Sequence, residues 1–340
     1  MKRPELNLCS RCGRCLAVCP TYLVTRREAF SPRGRIFLLQ SGLREHPALK
    51  TCLACGNCEA TCPNRVALPE LVFLKKLEKS SFQKGPFPKG PLPARLPREG
   101  SWLEVLIPRG MPKRSSRTFS QIRKLDQEGD ITLFLSCGAE YLYPEATHKL
   151  VRFLKSLGYS PRVIGPLCCG LPAASLGLKE RFLEEARKTL KTLLEVEGPI
   201  LTLCASCLWV IKKIYPLVFP DPEEENLRRF QSIEEALSHL RPRISTLPLE
   251  VEDVVWHLPC HLKALNNRIS LPGPRIDFCC GSATPQKLLW ETRLPKPFLE
   301  KLNEFAPPLL VTACTGCYLK LRKLLNPPPE VKHWAELLSV

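Results

Sequence analysis

Two matching cysteine runs limit what this chain can become more than any other feature. LCSRCGRCLAVCP places Cys9, Cys12, Cys15 and Cys19 before Pro20, and CLACGNCEATCP repeats the spacing with Cys52, Cys55, Cys58 and Cys62 before Pro63. Thiols at i, i+3 and i+6 in a tight loop can hold three corners of a cube, and the fourth corner must be reached from elsewhere. Where two such runs occur together, the fourth cysteine of each ligates the other run's cluster. The spacing therefore predicts two 4Fe-4S clusters, one on Cys9, Cys12, Cys15 and Cys62 and a second on Cys52, Cys55, Cys58 and Cys19. A pair of structural zinc sites is the competing reading, because C-x2-C is also a zinc spacing. Zinc sites normally use two separated knuckles, and a contiguous four-cysteine run ending in proline, present twice, does not suit them.

Short helical signals surround these runs. LPELVFLKKLEK, residues 68–79, has apolar residues at 68, 71, 72, 74 and 77 and reads as an amphipathic helix starting at Pro69. Residues 1–80 are accordingly expected to form an alpha-helical ferredoxin-like domain. Between the runs lies SPRGRI, Ser31 to Ile36. It reads as a turn and helix start, with Arg33 and Arg35 either solvated or placed where their charge favours a reduced cluster. The sequence leaves those two readings level.

The other ten of the eighteen cysteines form two sets of five. Cys137 is followed by the pair Cys168-Cys169 and then by Cys204-x-x-Cys207; Cys260 is followed by Cys279-Cys280 and Cys314-x-x-Cys317. Each set sits on the same order of apolar runs: ITLFLSC, RVIGPLCC and ILTLCASC in the first, VEDVVWHLPC, RIDFCC and LLVTACTGC in the second. Helical patterns at THKLVRFLKSLG and RFLEEARKTLKTLLEVEG, with Gly158 and Gly198 as stop signals, separate the first three runs. Strand and helix in alternation imply a parallel sheet, with the cysteines at strand C-terminal ends where such sheets hold ligands. The fold class is α+β multidomain: the helical domain, a proline-rich basic linker over 81–129, and two α/β repeats over 130–248 and 249–340. The linker carries Pro86, Pro88, Pro91, Pro93 and Pro97, a density that disfavours helix and predicts an extended segment.

Free cysteine also packs as a small apolar residue, yet two superimposable sets of five argue for a site in each repeat. Vicinal cysteines strain a simple tetrahedral site, so an unusual iron-sulfur cluster, a zinc and a redox-active dithiol all stay open there. His257 and His261 flank Cys260 and are placed outside the site; Ser136, Thr202 and Thr312 are read as structural.

The formal net charge is +17, with a local excess at Arg109, Lys113, Arg114, Arg117, Arg123 and Lys124. Nucleic acid, an anionic membrane surface and an acidic partner could each receive such charge, but no helix-turn-helix or RNA-recognition signature is present, so nucleic acid is disfavoured. Without an apolar export segment or a run long enough to span a bilayer, the chain is expected in the cytosol, with peripheral attachment to the inner face of a membrane compatible with its charge.

The paired cysteine runs, SPRGRIFLLQ, and the two repeats ending CCGLP and CCGSA together resemble the iron-sulfur subunit of bacterial glycolate oxidase, over nearly the whole chain outside the linker. Its relatives include the iron-sulfur subunits of D-lactate and anaerobic glycerol-3-phosphate dehydrogenases and the catalytic subunit of heterodisulfide reductase. The resemblance names the repeats cysteine-rich CCG domains. It implies an electron-transfer subunit that takes electrons from a 2-hydroxy acid through FAD on a partner dehydrogenase subunit and passes them to a respiratory quinone or other acceptor. It also implies an alternative, disulfide or heterodisulfide reductase chemistry in the repeats. No catalytic residue for substrate oxidation is expected on this chain, and no G-x-G-x-x-G follows any strand. Two departures from the family pattern stand out: the short proline-rich linker, and only eighteen residues between Cys260 and Cys279, which predicts the loss of one strand-helix excursion.

Overall fold

The two cysteine runs fold as twins. Arg11 and Ala54, each before the second cysteine of its run, have φ of 58° and 49°, and Gly13 and Gly56, just after it, have φ of 83° and 77°. Each run thus turns back on itself twice within six residues, which gathers thiols that an extended chain would point apart. The computed structural model describes residues 6–78, 129–175, 177–219, 227, 229–232, 253–265, 273–282 and 294–338. The predicted linker with its prolines and the basic group Arg109 to Lys124 lie outside the described residues, as do 266–272, part of the stretch where the second repeat is shortened.

The twin loops are framed by α1 (Pro20–Thr25), α2 (Pro32–Gln40), α3 (Asn57–Thr61) and α4 (Leu68–Glu78), with a single helical turn at Pro47–Lys50 between α2 and α3. Pro20 and Pro32 occupy first turns, where a missing N–H costs nothing. Ser31 caps α2 by accepting a hydrogen bond from the Gly34 amide at 2.9 Å. Gly34 itself is required for a close approach, since a Cβ there would lie 2.0 Å from the Glu28 carbonyl oxygen.

The remainder forms two parallel sheets of identical topology. Strands β1 (Ile131–Ser136), β2 (Pro161–Leu167), β3 (Ile200–Thr202) and β4 (Phe230–Ser232) take the order β2-β1-β3-β4. Strands β5 (Val254–His257), β6 (Arg275–Ile276), β7 (Leu309–Thr312) and β8 (Glu330–His333) repeat it as β6-β5-β7-β8. Every residue of β1 is buried, which explains why ITLFLS reads as a continuous apolar run rather than an alternating one. Helix α5 (Cys137–Tyr141) follows β1 directly. Helices α6 (Pro144–Ser156) and α7 (Lys179–Leu194) bury faces such as Ala146, Leu150 and Leu154, spaced by one turn. Helix α8 (Ala205–Trp209) continues through a π-helical turn, Val210–Ile214. In the second repeat α9 (Cys260–Ala264), α10 (Lys296–Phe305) and α11 (Thr315–Leu324) complete the pattern.

One hydrophobic core runs through both sheets and takes in Ala54, Phe73 and Leu77 of the helical domain. Phe73 packs edge-on against Phe182 at 5.6 Å and Trp209 at 5.9 Å, between ring centroids, in the geometry aromatic quadrupoles favour. Among the described residues no helix is long and apolar enough to cross a membrane.

Candidate iron-sulfur sites

Cys9, Cys12, Cys15 and Cys62 line one cleft of about 420 Å³, open on one side, with Arg11, Arg14 and Arg33 at its margin. Cys19, Cys52 and Cys55 line a second cleft of about 320 Å³, and Cys58 lies between the two and lines both. Cys19, just before α1, lines the cleft of Cys52 and Cys55, and Cys62, just after α3, lines the cleft of Cys9, Cys12 and Cys15. The donor set suits iron-sulfur clusters, because each cleft gathers thiols with no carboxylate among its lining residues. Burial pushes the Cys15 thiol up to about 11 and Cys58 well above its usual value, so without a metal to hold them as thiolates these groups stay protonated.

SPRGRI resolves into two different arginines. Arg33 lies at the surface, paired with Glu28 at 2.6 Å and donating to the Arg11 carbonyl oxygen at 3.2 Å. Arg35 is 1% exposed. Its Nε donates to the Ala48 carbonyl oxygen at 2.7 Å and its Nη2 to Thr21 Oγ1 at 2.8 Å, while Nη1 faces Cys19 Sγ at 3.7 Å. Lys76, half-buried, donates to the Cys52 carbonyl oxygen at 2.6 Å, and desolvation pushes its ammonium down to about 8.

The ten cysteines of the repeats stand at the C-terminal ends of their strands and are not two isolated sets. In the first repeat Cys137 contacts Cys168, and Cys169 contacts Cys207. In the second, Cys260 contacts Cys279, and Cys280 and Cys317 are 3.2 Å apart. The C-x-x-C loops of the two repeats then meet, Cys204 against Cys314. Contacts to Cys137, to Cys207 and Cys314, and to Cys279 and Cys317 lower Cys168, Cys204 and Cys280 respectively. The thiolate form that metals and disulfide chemistry require is thereby favoured at one point in each half and at the join.

A second bridge leads to the helical domain. Cys55 contacts both Cys260 and Cys279, and with Leu53 these form a small apolar cluster of their own. A hydrogen bond from Cys260 opposes the rise, but contact with Cys279 and burial push Cys55 up to about 12. Thiol contacts therefore run from the second cleft through Cys55 into the second repeat and across to the first.

The repeats grip each other by exchange. Thr315 of the second repeat hydrogen-bonds Tyr143 Oη at 2.6 Å and sits where a Cβ on Gly138 would collide at 2.2 Å. In return Ser206 Oγ of the first reaches His261 Nδ1 at 2.9 Å and Cys314 Sγ at 3.0 Å. His261 stacks on Trp209 at 4.8 Å and donates from Nε2 to the Ala54 carbonyl oxygen, tying three segments together. His333 donates to the Leu203 carbonyl oxygen at 2.9 Å and stacks on Tyr143 at 4.4 Å.

Sequence reasoning places His257 and His261 outside the site, and both are buried beside it. His257, Cys280 and Cys317 bring ligand atoms within 4.8 Å of one another. Both His257 nitrogens are engaged, Nε2 with the Phe278 carbonyl oxygen at 3.1 Å and Nδ1 with Thr312 at 3.0 Å, so the ring orders the wall of the thiol group. The H-x-x-C-H spacing around Cys260 is the sequence signal for these two. Ser206 and Tyr143 have none, because their roles depend on a partner residue far away in the chain.

A 4Fe-4S dicluster domain matches residues 5–66, and a cysteine-rich domain matches twice, over 131–212 and 264–322. The chain joins a 4Fe-4S dicluster domain to a repeated cysteine-rich domain. It is similar to the glycolate oxidase iron-sulfur subunit of Escherichia coli, 27% identical over an alignment of 388 positions, gaps included, that covers 98% of this chain and 93% of that protein. It is also similar to one of the subunits of the fumarate reductase (CoM/CoB) of Methanothermobacter marburgensis, 27% identical over 225 residues, 58% of this chain and 42% of that one.

Proposed function

We propose that this chain is the electron-transfer subunit of a flavin-dependent 2-hydroxyacid dehydrogenase complex, of the glycolate or D-lactate type. Cys9, Cys12, Cys15 and Cys62 would hold one 4Fe-4S cluster of the dicluster domain, and Cys19, Cys52, Cys55 and Cys58 the other. Clusters of this kind carry single electrons, which suits a link between a two-electron flavin on a partner subunit and a respiratory quinone or other acceptor. The observation that carries the reading is continuity: an open cleft at one end, then Cys58 shared between clefts, then Cys55 against the second repeat. The open cleft, rimmed by Arg11 and Arg14, is where a partner with acidic side chains can approach a cluster. Burial of the inner thiols keeps water and dioxygen from the rest of the route. The basic charge also suits peripheral attachment to an anionic membrane face.

The test is anaerobic purification together with the neighbouring subunits. An FAD-containing subunit should copurify, and glycolate or D-lactate should bleach the cluster absorbance; if neither happens the reading is wrong. About eight irons per chain mean clusters in the dicluster domain alone, and more iron, or zinc, assigns a metal to the repeats.

A second reading, disulfide reduction in the repeats, is supported by the paired thiols Cys168-Cys169 and Cys279-Cys280. It requires a disulfide to reach thiols that are buried apart from the half-buried Cys137. Reduced protein that fails to transfer electrons to any added disulfide removes it.

A further inference from the structure

The twin clefts have the same cysteine spacing and backbone turns, yet the charges fixed beside them differ. At the open cleft Arg33 is cancelled by Glu28 and partly solvated. At the inner cleft Arg35 is 1% exposed, and each atom it touches belongs to a neutral group or to a thiol: Ala48 O, Thr21 Oγ1, Thr51 Oγ1 and Cys19 Sγ. Among the described residues no carboxylate pairs with it. A guanidinium cannot shed its proton to escape burial as a lysine can, and an isolated buried charge is strongly unfavourable unless an opposite charge compensates it.

From this geometry we infer that Arg35 is a redox-tuning residue whose counter-charge is the cluster held by Cys19, Cys52, Cys55 and Cys58, and that it selectively raises that cluster's reduction potential. The inference rests on the ligand reading given above. Cluster potentials respond to net charge and to hydrogen bonds on sulfur, and Arg35 supplies both through one fixed group. Thr21 and Ala48 hold the guanidinium plane so that Nη1 cannot swing away from Cys19. Adding an electron makes the cluster more negative, and the fixed cation offsets that charge. At the outer cleft Arg33 is neutralised by Glu28, and Arg11 and Arg14 stand exposed at the rim, where water screens their charge, so no buried cation acts there as Arg35 does at the inner one. The two clusters thereby acquire different potentials from one SPRGRI segment, which biases electrons toward the inner one, next to the repeats.

The experiment is a redox titration followed by EPR on the intact anaerobic protein, comparing wild type with Arg35→Gln and Arg35→Lys. Arg35→Gln should shift the one-electron equilibrium of the inner cluster at least tenfold toward the oxidised form, a drop of about 59 mV, and leave the outer cluster within that limit. Arg35→Lys, which keeps the charge and loses the fork, should stay within tenfold of wild type. If Arg35→Gln cannot hold the inner cluster but Arg35→Lys can, charge is again the requirement and the inference stands. An unmoved potential in Arg35→Gln overturns it, as does equal damage by both variants, which would mark a packing role. Should Cys19→Ser leave both cluster signals intact, the ligand reading fails instead, and that failure is distinguishable from the others.

Discussion

Replacing Gly56 by alanine tests whether the dicluster domain is locked against the second cysteine-rich repeat. Gly56 has φ of +77°, and a Cβ built there would lie 2.2 Å from the Cβ of Ala264, against 3.4 Å for ordinary contact. Behind that methyl stand the Ala264 Cα at 3.5 Å and the Cys260 carbonyl oxygen at 4.0 Å, all part of α9, so no flexible side-chain end can yield. The left-handed backbone costs an L-residue roughly 1–2 kcal/mol, less a few tenths to about 1 kcal/mol regained from the unfolded chain. Overpacking adds about 1–3 kcal/mol. A total of about 1–5 kcal/mol corresponds to a roughly 5- to 4,000-fold increase in opening of the contact. Gly42→Ala is the matched control: its φ is +73° with nothing within 4 Å of the added Cβ, so it carries the backbone cost alone. Hydrogen exchange of the loaded protein reads the difference through the amides of Leu262 and Lys263, which bond to Pro259 in α9. These amides should exchange much faster in Gly56→Ala and at the wild-type rate in Gly42→Ala. Equal protection in the two variants would refute the argument, because it would mean that the glycine serves only the turn.

Cys19→Ser should damage the cluster held by Cys52, Cys55 and Cys58 more than the one held by its own sequence neighbours, measured as loss of one of two EPR signals; loss of the other would overturn the crossed assignment. His333 makes stability depend on pH. Burial pushes its imidazole down to about 4, whereas unfolded histidine titrates near 6.5, so the unfolded chain binds more protons between those values. Its contribution is complete above about pH 6.5 and is lost as pH falls toward 4, on the order of 3 kcal/mol in all. In denaturant melts His333→Gln should start less stable at about pH 7 and lose less between there and about pH 5; parallel profiles would exclude His333 as the titrating group. Trp209 is wholly buried between Phe73 and His261, and Trp209→Ala should cost about 3–5 kcal/mol, seen as a lowered thermal midpoint together with faster exchange in α4 and α9.

The amino-acid sequence by itself determined the elements of this protein and the grouping of its thiols. Those signals are local: C-x2-C spacing fixes which sulfurs a six-residue turn can gather, and apolar runs such as ITLFLS and LLVTACTGC mark buried parallel strands wherever they end up. Repetition in the sequence likewise revealed two copies of one unit, and the two sheets share one strand order. Only the tertiary structure decided how the copies meet. Cys204 against Cys314, Cys55 against Cys260, and Ser206 between His261 and Cys314 join residues far apart in the chain, and no periodicity encodes such a pairing. The two arginines of SPRGRI show the same limit at short range. They are identical in type and two residues apart, but one turn of α2 sends Arg33 to the surface and Glu28 and turns Arg35 inward to Cys19. Burial separates their roles, because a charge in water is screened by solvent while the same charge in the core must find its counterpart in the site beside it.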